Sequence, residues 1–283
     1  MLNFVTMKKI LLPIDFSATS DNAFVYAIEM AKIFKAELVL LHTFELPIVD
    51  SQSLPLNYAT IYETIELTNF DYFKEKMPQL HTIAEERNLS HINMSHILMD
   101  GDLVYNIKKV VKQENIDLVV MGTNGADGWF DSFLGTNTGA VISDVSVPVL
   151  SVPNGTKFSK FENIAFTTRF RKKDIEALAK LLLLAKKLQV KVKCLYVKTF
   201  DSDVSNDTIN RWKSHFDNEE NLQFFIIPSD DVKETIEDFL VSQDIDLLAM
   251  LTYKRNFFVE LFTNTTTQKL SYHLKTPILA FQE

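Results

Sequence analysis

The stretch NIDLVVMGT at residues 115–123 returns as DIDLLAMLT at 244–252, VPVLSV at 147–152 as TPILAF at 276–281, and LGTNT at 134–138 as LFTNT at 261–265. The order is the same in both halves, so the chain carries a unit of about 140 residues twice, too long a period for a solenoid. Apolar periodicity gives each copy an internal order. In the first, strands at Ile10–Ile14, Glu37–Phe44, Ile92–Met99, Asp117–Gly122 and Val147–Val152 alternate with helical patterns. Those patterns are carried by Phe24, Ala27, Ile28, Ala31 and Phe34, by residues 61–87, by Leu103, Val104, Ile107 and Val111, and by the stretch after Gly135. The second copy runs the same course, with strands at 163–168, 190–197, 222–227, 246–251 and 277–281 and helices at 174–188, 206–216 and from Val232 to Leu240. Strands and helices in alternation predict two tandem, doubly wound α/β domains, each built on a five-stranded, mainly parallel sheet. The expected boundaries are 1–153 and 162–283, with 154–161 as linker.

Composition removes several classes of function. With 46% hydrophobic and 23% charged residues the chain is too apolar to be disordered. Cys194 is the single cysteine, so neither an intrachain disulfide nor a thiolate zinc site can form, which fits a reducing cytoplasm. The opening MLNFVTMKKILLP lacks the cleavage pattern of a secretory signal, and Met7 offers a second start. Apolar runs such as Leu181–Ala185 fall far short of the roughly 20 residues that span a bilayer, so no membrane segment is expected. A formal net charge of −8 repels nucleic-acid backbones and acidic lipids. The longest basic run, Arg171–Lys173, reads as a solvated helix end rather than a nucleic-acid site.

Glycine is the residue whose distribution says most about chemistry. All seven lie between Gly101 and Gly155, and five fall between Gly122 and Gly139. The cluster GTNGADGWFDSFLGTNT has the spacing G-x-x-G-x9-G-T through Gly122, Gly125, Gly135 and Thr136, after a strand and before a helix. Free N–H groups at a helix start, with the hydroxyls of Thr136 and Thr138 and the amide of Asn137, offer donors to phosphate. Turns and a helix cap explain the same residues, and both readings stand on the loop alone. Asp15, at the carboxyl end of the first strand, has two readings as well. It can accept from a base or sugar where such sheets bind ligands, or it, like Ser17, can cap the first helix.

Together, KKILLPIDFS, LVLLHTF, the Gly101 turn, DLVVMGT, the glycine spacing and VPVLSVP resemble the universal stress protein family over about residues 7–153. Residues 162–281 resemble a second copy without glycines. The resemblance implies a Rossmann-like fold of the adenine nucleotide alpha hydrolase type and ATP as ligand. It implies that Pro13, Ile14, Asp15 and Thr43 border the adenine, Met121, Gly122 and Gly125 the ribose and phosphates, and Gly135, Thr136, Asn137 and Thr138 the triphosphate. Asn137 departs from the small apolar residue usual there, and Asp102 and Leu103 from the usual pattern after Gly101. The resemblance also implies an internal pseudo-dimer through VPVLSVP and TPILAFQ, whose early prolines suit edge strands, with room for a homodimer.

In the second copy Arg169 stands for Asp15, Leu251 for Gly122, Lys254 for Gly125 and Phe262 for Gly135, so the same phosphate pose should clash. Thr263, Asn264 and Thr265 remain and read as a helix cap. Arg169, Lys254 and Arg255 could converge on a different anion, or simply be solvated.

The chain has no G-x-x-x-x-G-K-[ST], G-x-G-x-x-G or G-x-S-x-G. The six histidines have no metal-ligand spacing, and His42, nearest the proposed site, reads as a satisfied strand-end residue. Phosphoryl transfer needs a positioned nucleophile and strong charge neutralisation, whereas this loop offers mainly neutral donors. The expectation is an ATP-binding regulatory or stress-response protein without catalytic residues, its Mg²⁺ carried by the nucleotide; Asp127 or Asp131 could approach that metal, but both read rather as residues that keep the glycine loop soluble. The competing readings are a slow nucleotide hydrolase or adenylyl-transfer enzyme, and a nucleotide-free interaction scaffold.

Overall fold

Fixed polar contacts at the amino ends of the strands explain one of the literal repeats. The Asp117 carboxylate accepts from the backbone N–H of Lys8 at 2.7 Å and of Lys9 at 3.1 Å. Asp246 does the same for Glu162 at 2.7 Å and Asn163 at 2.9 Å. The shared aspartate of NIDLVVMGT and DIDLLAMLT thus locks the central strand of each half to its neighbour.

The computed structural model describes residues 7–46, 58–123, 136–252 and 276–282. The first half runs β1 (Lys9–Pro13), α1 (Ala18–Phe34), β2 (Glu37–Phe44), α2 (Tyr58–Glu86), β3 (Met94–Asp100), α3 (Leu103–Gln113), β4 (Leu118–Thr123), α4 (Thr136–Asp144) and β5 (Val149–Pro153). The second runs β6 (Asn163–Thr167), α5 (Lys172–Leu188), β7 (Lys191–Lys198), α6 (Asn206–His215), β8 (Leu222–Pro228), α7 (Val232–Ser242), β9 (Leu247–Thr252) and β10 (Ile278–Gln282). Every expected strand is present, its ends within two residues of those expected.

Strand order is β3-β2-β1-β4-β5 in the first half and β8-β7-β6-β9-β10 in the second, all parallel within each half. Instead of ending as separate sheets, the halves join. β5 and β10 pair antiparallel, with Ile278 opposite Ser151 and Ala280 opposite Val149, and one ten-stranded sheet results. Helices cover both faces, which is why the central strands read as continuous apolar runs. On one face Leu12, Phe24, Ile28 and Leu118 share a core with Phe166, Leu178 and Leu181 of the second half. On the other, Leu11, Val119 and Ile107 pack with Leu248, Ile278 and Phe239. The stretch read as a linker is packed down: Phe158 meets Tyr26 edge-on at 5.0 Å, and Phe161 is buried beside it.

The loops after β1 and β6 share an unusual turn. Phe16 has φ +61° and Phe170 φ +56°, a left-handed conformation costly for a bulky side chain. Aromatic packing holds each in place. Phe16 lies 5.6 Å from His42 and 5.6 Å from Phe73, and Phe170 lies 5.1 Å from Tyr196 and 5.0 Å from Trp212.

Candidate nucleotide site at the carboxyl ends of the strands

In a 3-2-1-4-5 sheet the chain reverses its direction of travel between β1 and β4, and ligands of open α/β sheets occupy the crevice above that reversal. β1 pairs with β4 on one side, Ile10 opposite Leu118, and with β2 on the other, Pro13 opposite Leu41. Pairing brings the loop after β1, which carries Ile14 and Asp15, to the ends of β2 and β4, where Thr43 and Gly122 lie. Pro13 and Ile14 are buried, Thr43 is half-buried and Asp15 is exposed.

Asp15 and Ser17 divide the two duties open to them. Ser17 is the N-cap of α1, its hydroxyl accepting from the Ser20 N–H at 3.2 Å, while Asp15 accepts from the Ser17 N–H at 3.0 Å. Burial pushes the Asp15 carboxyl up, but hydrogen bonds from Ser17 and Ser20 outweigh it and leave the group below its usual value. Asp15 is therefore a fixed, ionised acceptor at the lip of the crevice. His42 takes the satisfied role: Nδ1 donates to the Ile14 carbonyl at 2.7 Å and ties the end of β1 to β2.

Gly122 has a reason the sequence does not reveal. A Cβ there would lie 2.6 Å from the Thr19 carbonyl oxygen and 2.8 Å from Thr19 Cγ2, so the missing side chain is what lets the first turn of α1 rest on β4. Met121 points its side chain into the core beneath α3 and α4, leaving its backbone as the part near the crevice. Gly101 has φ +95° and donates to the Phe44 carbonyl at 2.8 Å, making the turn into α3, which Asp102 caps through the Tyr105 N–H at 2.8 Å. At the start of α4 Asn137 is exposed while Thr138 is buried, only 6% accessible, so of these two Asn137 is the side chain presented outward. Thr136 begins the helix. Gly125, Gly135, Asp127 and Asp131 lie outside the described residues, as do Lys254, Arg255, Phe262 and Thr263 to Thr265.

Among the described residues no three His, Cys, Asp or Glu side chains gather as metal ligands, and no helix is long and apolar enough to cross a membrane. In the second half a cavity of about 780 Å³ opens over the corresponding reversal between β6 and β9, lined in part by Thr168, Arg169, Phe170, Tyr196 and Leu251. Sequence reasoning singled out Arg169 and Leu251 there, Leu251 as a bar to the first-half phosphate pose and Arg169 as a group for a different anion or for solvent.

The family model for the universal stress protein family matches residues 6–153. A universal stress protein of Methanocaldococcus jannaschii is 29% identical over 156 residues, covering 52% of this chain and 96% of the relative. Another, from Bacillus subtilis, is 28% identical over 145 residues, covering 51% and 97%. Among solved structures, a universal stress protein from Archaeoglobus fulgidus matches 100% of this chain and 98% of its own, with TM-score 0.69 at 17% identity, a likeness of fold.

Proposed function

The chain belongs to the universal stress protein family, and on that premise we propose that it binds one ATP per molecule, in the first half only, as a regulatory or stress-response protein of the cytoplasm. The observation that carries this reading is the meeting of Gly122, near the end of β4, with the loop after the paired strand β1, on which Asp15 stands exposed and ionised. We assign the base side to Pro13, Ile14, Asp15 and Thr43, the ribose side to the backbone at Met121, Gly122 and Gly125, and the phosphate side to Gly135, Thr136, Asn137 and Thr138. Mg²⁺ arrives with the nucleotide. The chain supplies binding and orientation, and we assign no catalytic residue.

The reading extends to organisation. We read residues 1–153 and 162–283 as two domains around the 154–161 connection that form an internal pseudo-dimer, with room for a homodimer; the antiparallel pairing of β5 with β10 supports this reading. Titration calorimetry on protein stripped of copurified nucleotide tests the binding claim. One ATP per chain is expected, and a stoichiometry of two, or no binding, overturns it.

A further inference from the structure

The ten-stranded sheet ends on β3 at one side and on β8 at the other, and the two edges are not alike. β8 pairs parallel with β7, Val192 opposite Leu222 and Tyr196 opposite Ile226. In a parallel ladder alternate residues of a strand turn both main-chain groups to the same neighbour. Here the register is fixed at both ends: the Val192 N–H donates to the Asn221 carbonyl at 2.8 Å, and the Ser229 N–H to the Lys198 carbonyl at 3.1 Å. Odd-numbered residues of β8 therefore face β7, and the N–H and C=O groups of Phe224 and Ile226 point outward. Among the described residues that outward side has one internal bond, from the Leu222 N–H to the Glu219 carbonyl at 3.0 Å, and no partner strand.

Open edges are ordinarily guarded by a charge, a proline or a covering element. From Leu222 to Ile227 β8 reads LQFFII, without a charge, and Pro228 comes only at its end. Leu222, Phe224 and Ile226 lean on one core and Phe225 and Ile227 on the other, and all five stay half-buried. Cover differs between the halves. α2, with 29 residues, lays Phe73 over His96 of β3 at 5.7 Å, whereas its counterpart α6 has 10. Beyond the end of β8, Phe200 is 91% exposed, its N–H held by Asp230 at 2.7 Å. A strand added here covers apolar side chains on both faces of the sheet and satisfies the outward main-chain groups.

Charge around the edge selects the occupant. Residues 217–238 carry eight acidic side chains against Lys233 alone, a formal −7 of the chain's −8. Asp217 and Glu220 stand exposed before the strand, Asp230 after it, and Glu234 and Asp238 on α7, whose Phe239 packs on Phe225 at 5.0 Å. Glu219, in the same stretch, is paired with Lys186 at 2.9 Å. Burial pushes the Glu237 carboxyl up, and Asp231, Asp238 and Glu234 add to that against Lys233, as a locally negative field requires. Two copies of β8 paired antiparallel would set Asp217 and Glu220, before one strand, against Asp230 after the other, so like charges oppose a second copy. We propose that the β8 edge is a docking site for an extended segment of another protein, apolar through its centre and basic at both flanks, which joins the ten-stranded sheet as a further strand. Main-chain bonds to Phe224 and Ile226 give the pairing, and Lys or Arg side chains of the partner meet the acidic ends. Nothing in this docking depends on nucleotide in the first half.

The test is fluorescence anisotropy of the labelled peptide KRVIVIVKR titrated with the full chain, and one saturable site per chain is expected. Two further forms of the peptide carry N-methyl groups on one or the other alternate set of central amides. One of them should bind roughly tenfold or more weakly, since it cannot donate to the edge, and the other should match the parent. KRSGSGSKR, which keeps only the charge, should bind roughly tenfold or more weakly as well, and EDVIVIVDE should not bind. Ile226→Pro removes an outward N–H where an edge strand tolerates proline, and should weaken KRVIVIVKR by roughly tenfold or more while a cooperative unfolding transition shows a folded chain. Glu220→Lys combined with Glu234→Lys, both at exposed positions, should act in the same direction without touching the strand. No saturable binding, equal affinity for KRSGSGSKR, equal affinity for all three forms of the peptide, or an unchanged affinity in both variants overturns the proposal. So does self-association in sedimentation velocity that Ile226→Pro abolishes, which would assign the edge to a second copy.

Discussion

At Gly122 the added Cβ of an alanine meets the Thr19 carbonyl at 2.6 Å, and the atom it meets is backbone, which cannot swing aside. Gly122→Ala should therefore destabilise the chain by about 1–3 kcal/mol in urea unfolding, ATP or not. Sequence reasoning found this glycine and assigned it to the phosphate. What it could not find was Thr19, because no spacing along the chain says which helix turn will lie over β4. Asp15 and Asp21 make opposite predictions. The folded-state value of Asp15 is lowered, so its contribution is present above the ordinary carboxylate value and is lost as pH falls through the lowered one. Asp15→Asn should flatten that part of the acid limb of a melting-temperature profile. Asp21, pushed up by burial and by the Asp15 charge against the opposing effects of Gln79 and Lys76, favours folding below its unfolded value and loses that contribution as pH rises through the raised one. Asp21→Asn should raise the melting temperature at pH 7. Thr136→Ala should weaken ATP by roughly 0.5–1.5 kcal/mol in calorimetry if its hydroxyl holds phosphate.

The helices show how local signals and packing share control. α1 and α5 both end on a residue in the left-handed region, Lys35 at φ +54° and Gln189 at φ +59°, each donating back to the last turn. Glycine is the residue that adopts this cap without a Cβ penalty, and neither copy has it. Gln189→Gly should thus stabilise by up to about 1 kcal/mol in chemical unfolding, since relief of the left-handed strain exceeds the added freedom of the unfolded chain. Helix starts were partly legible. The pattern from Asp174 onward marks α5, yet the helix begins at Lys172 because Asp174 folds back onto the loop ahead of it. The turns at Phe16 and Phe170 were not legible, since phenylalanine is a poor candidate for positive φ. Only the aromatic cluster around each, assembled from helices and strands distant in sequence, makes the conformation worth its strain.

At the scale of the whole molecule the β5–β10 seam turns two sheets into one, and the cores on both faces run across it. Ligand energy entering one half should then reach the other. ATP at about 100 times its dissociation constant adds roughly 2.7 kcal/mol to the state that binds it. In Trp129→Phe, where Trp212 alone reports and lies in the second half, ATP should raise the unfolding midpoint. A midpoint at Trp212 that ignores ATP would mean the halves unfold independently. The prolines near the starts of VPVLSVP and TPILAFQ marked these strands as edges, and each is an edge of its own half, but their mutual pairing was only implied by resemblance.

What the sequence determined by itself was everything that depends on near neighbours or on repetition: strands, helices, their alternation, the duplication, and the asymmetry between a glycine-rich copy and one with none. Period and composition are local properties, and the chain displays them directly. The tertiary structure decided what those differences do. Leu251 in place of Gly122 reads as loss of a site in one dimension; in three, Gly122 is also where the first turn of α1 rests on β4, whereas α5 makes only sparse contact with β9. The physical reason is that a cavity is a property of the distance between elements, set by side-chain volumes that meet only when the chain has folded.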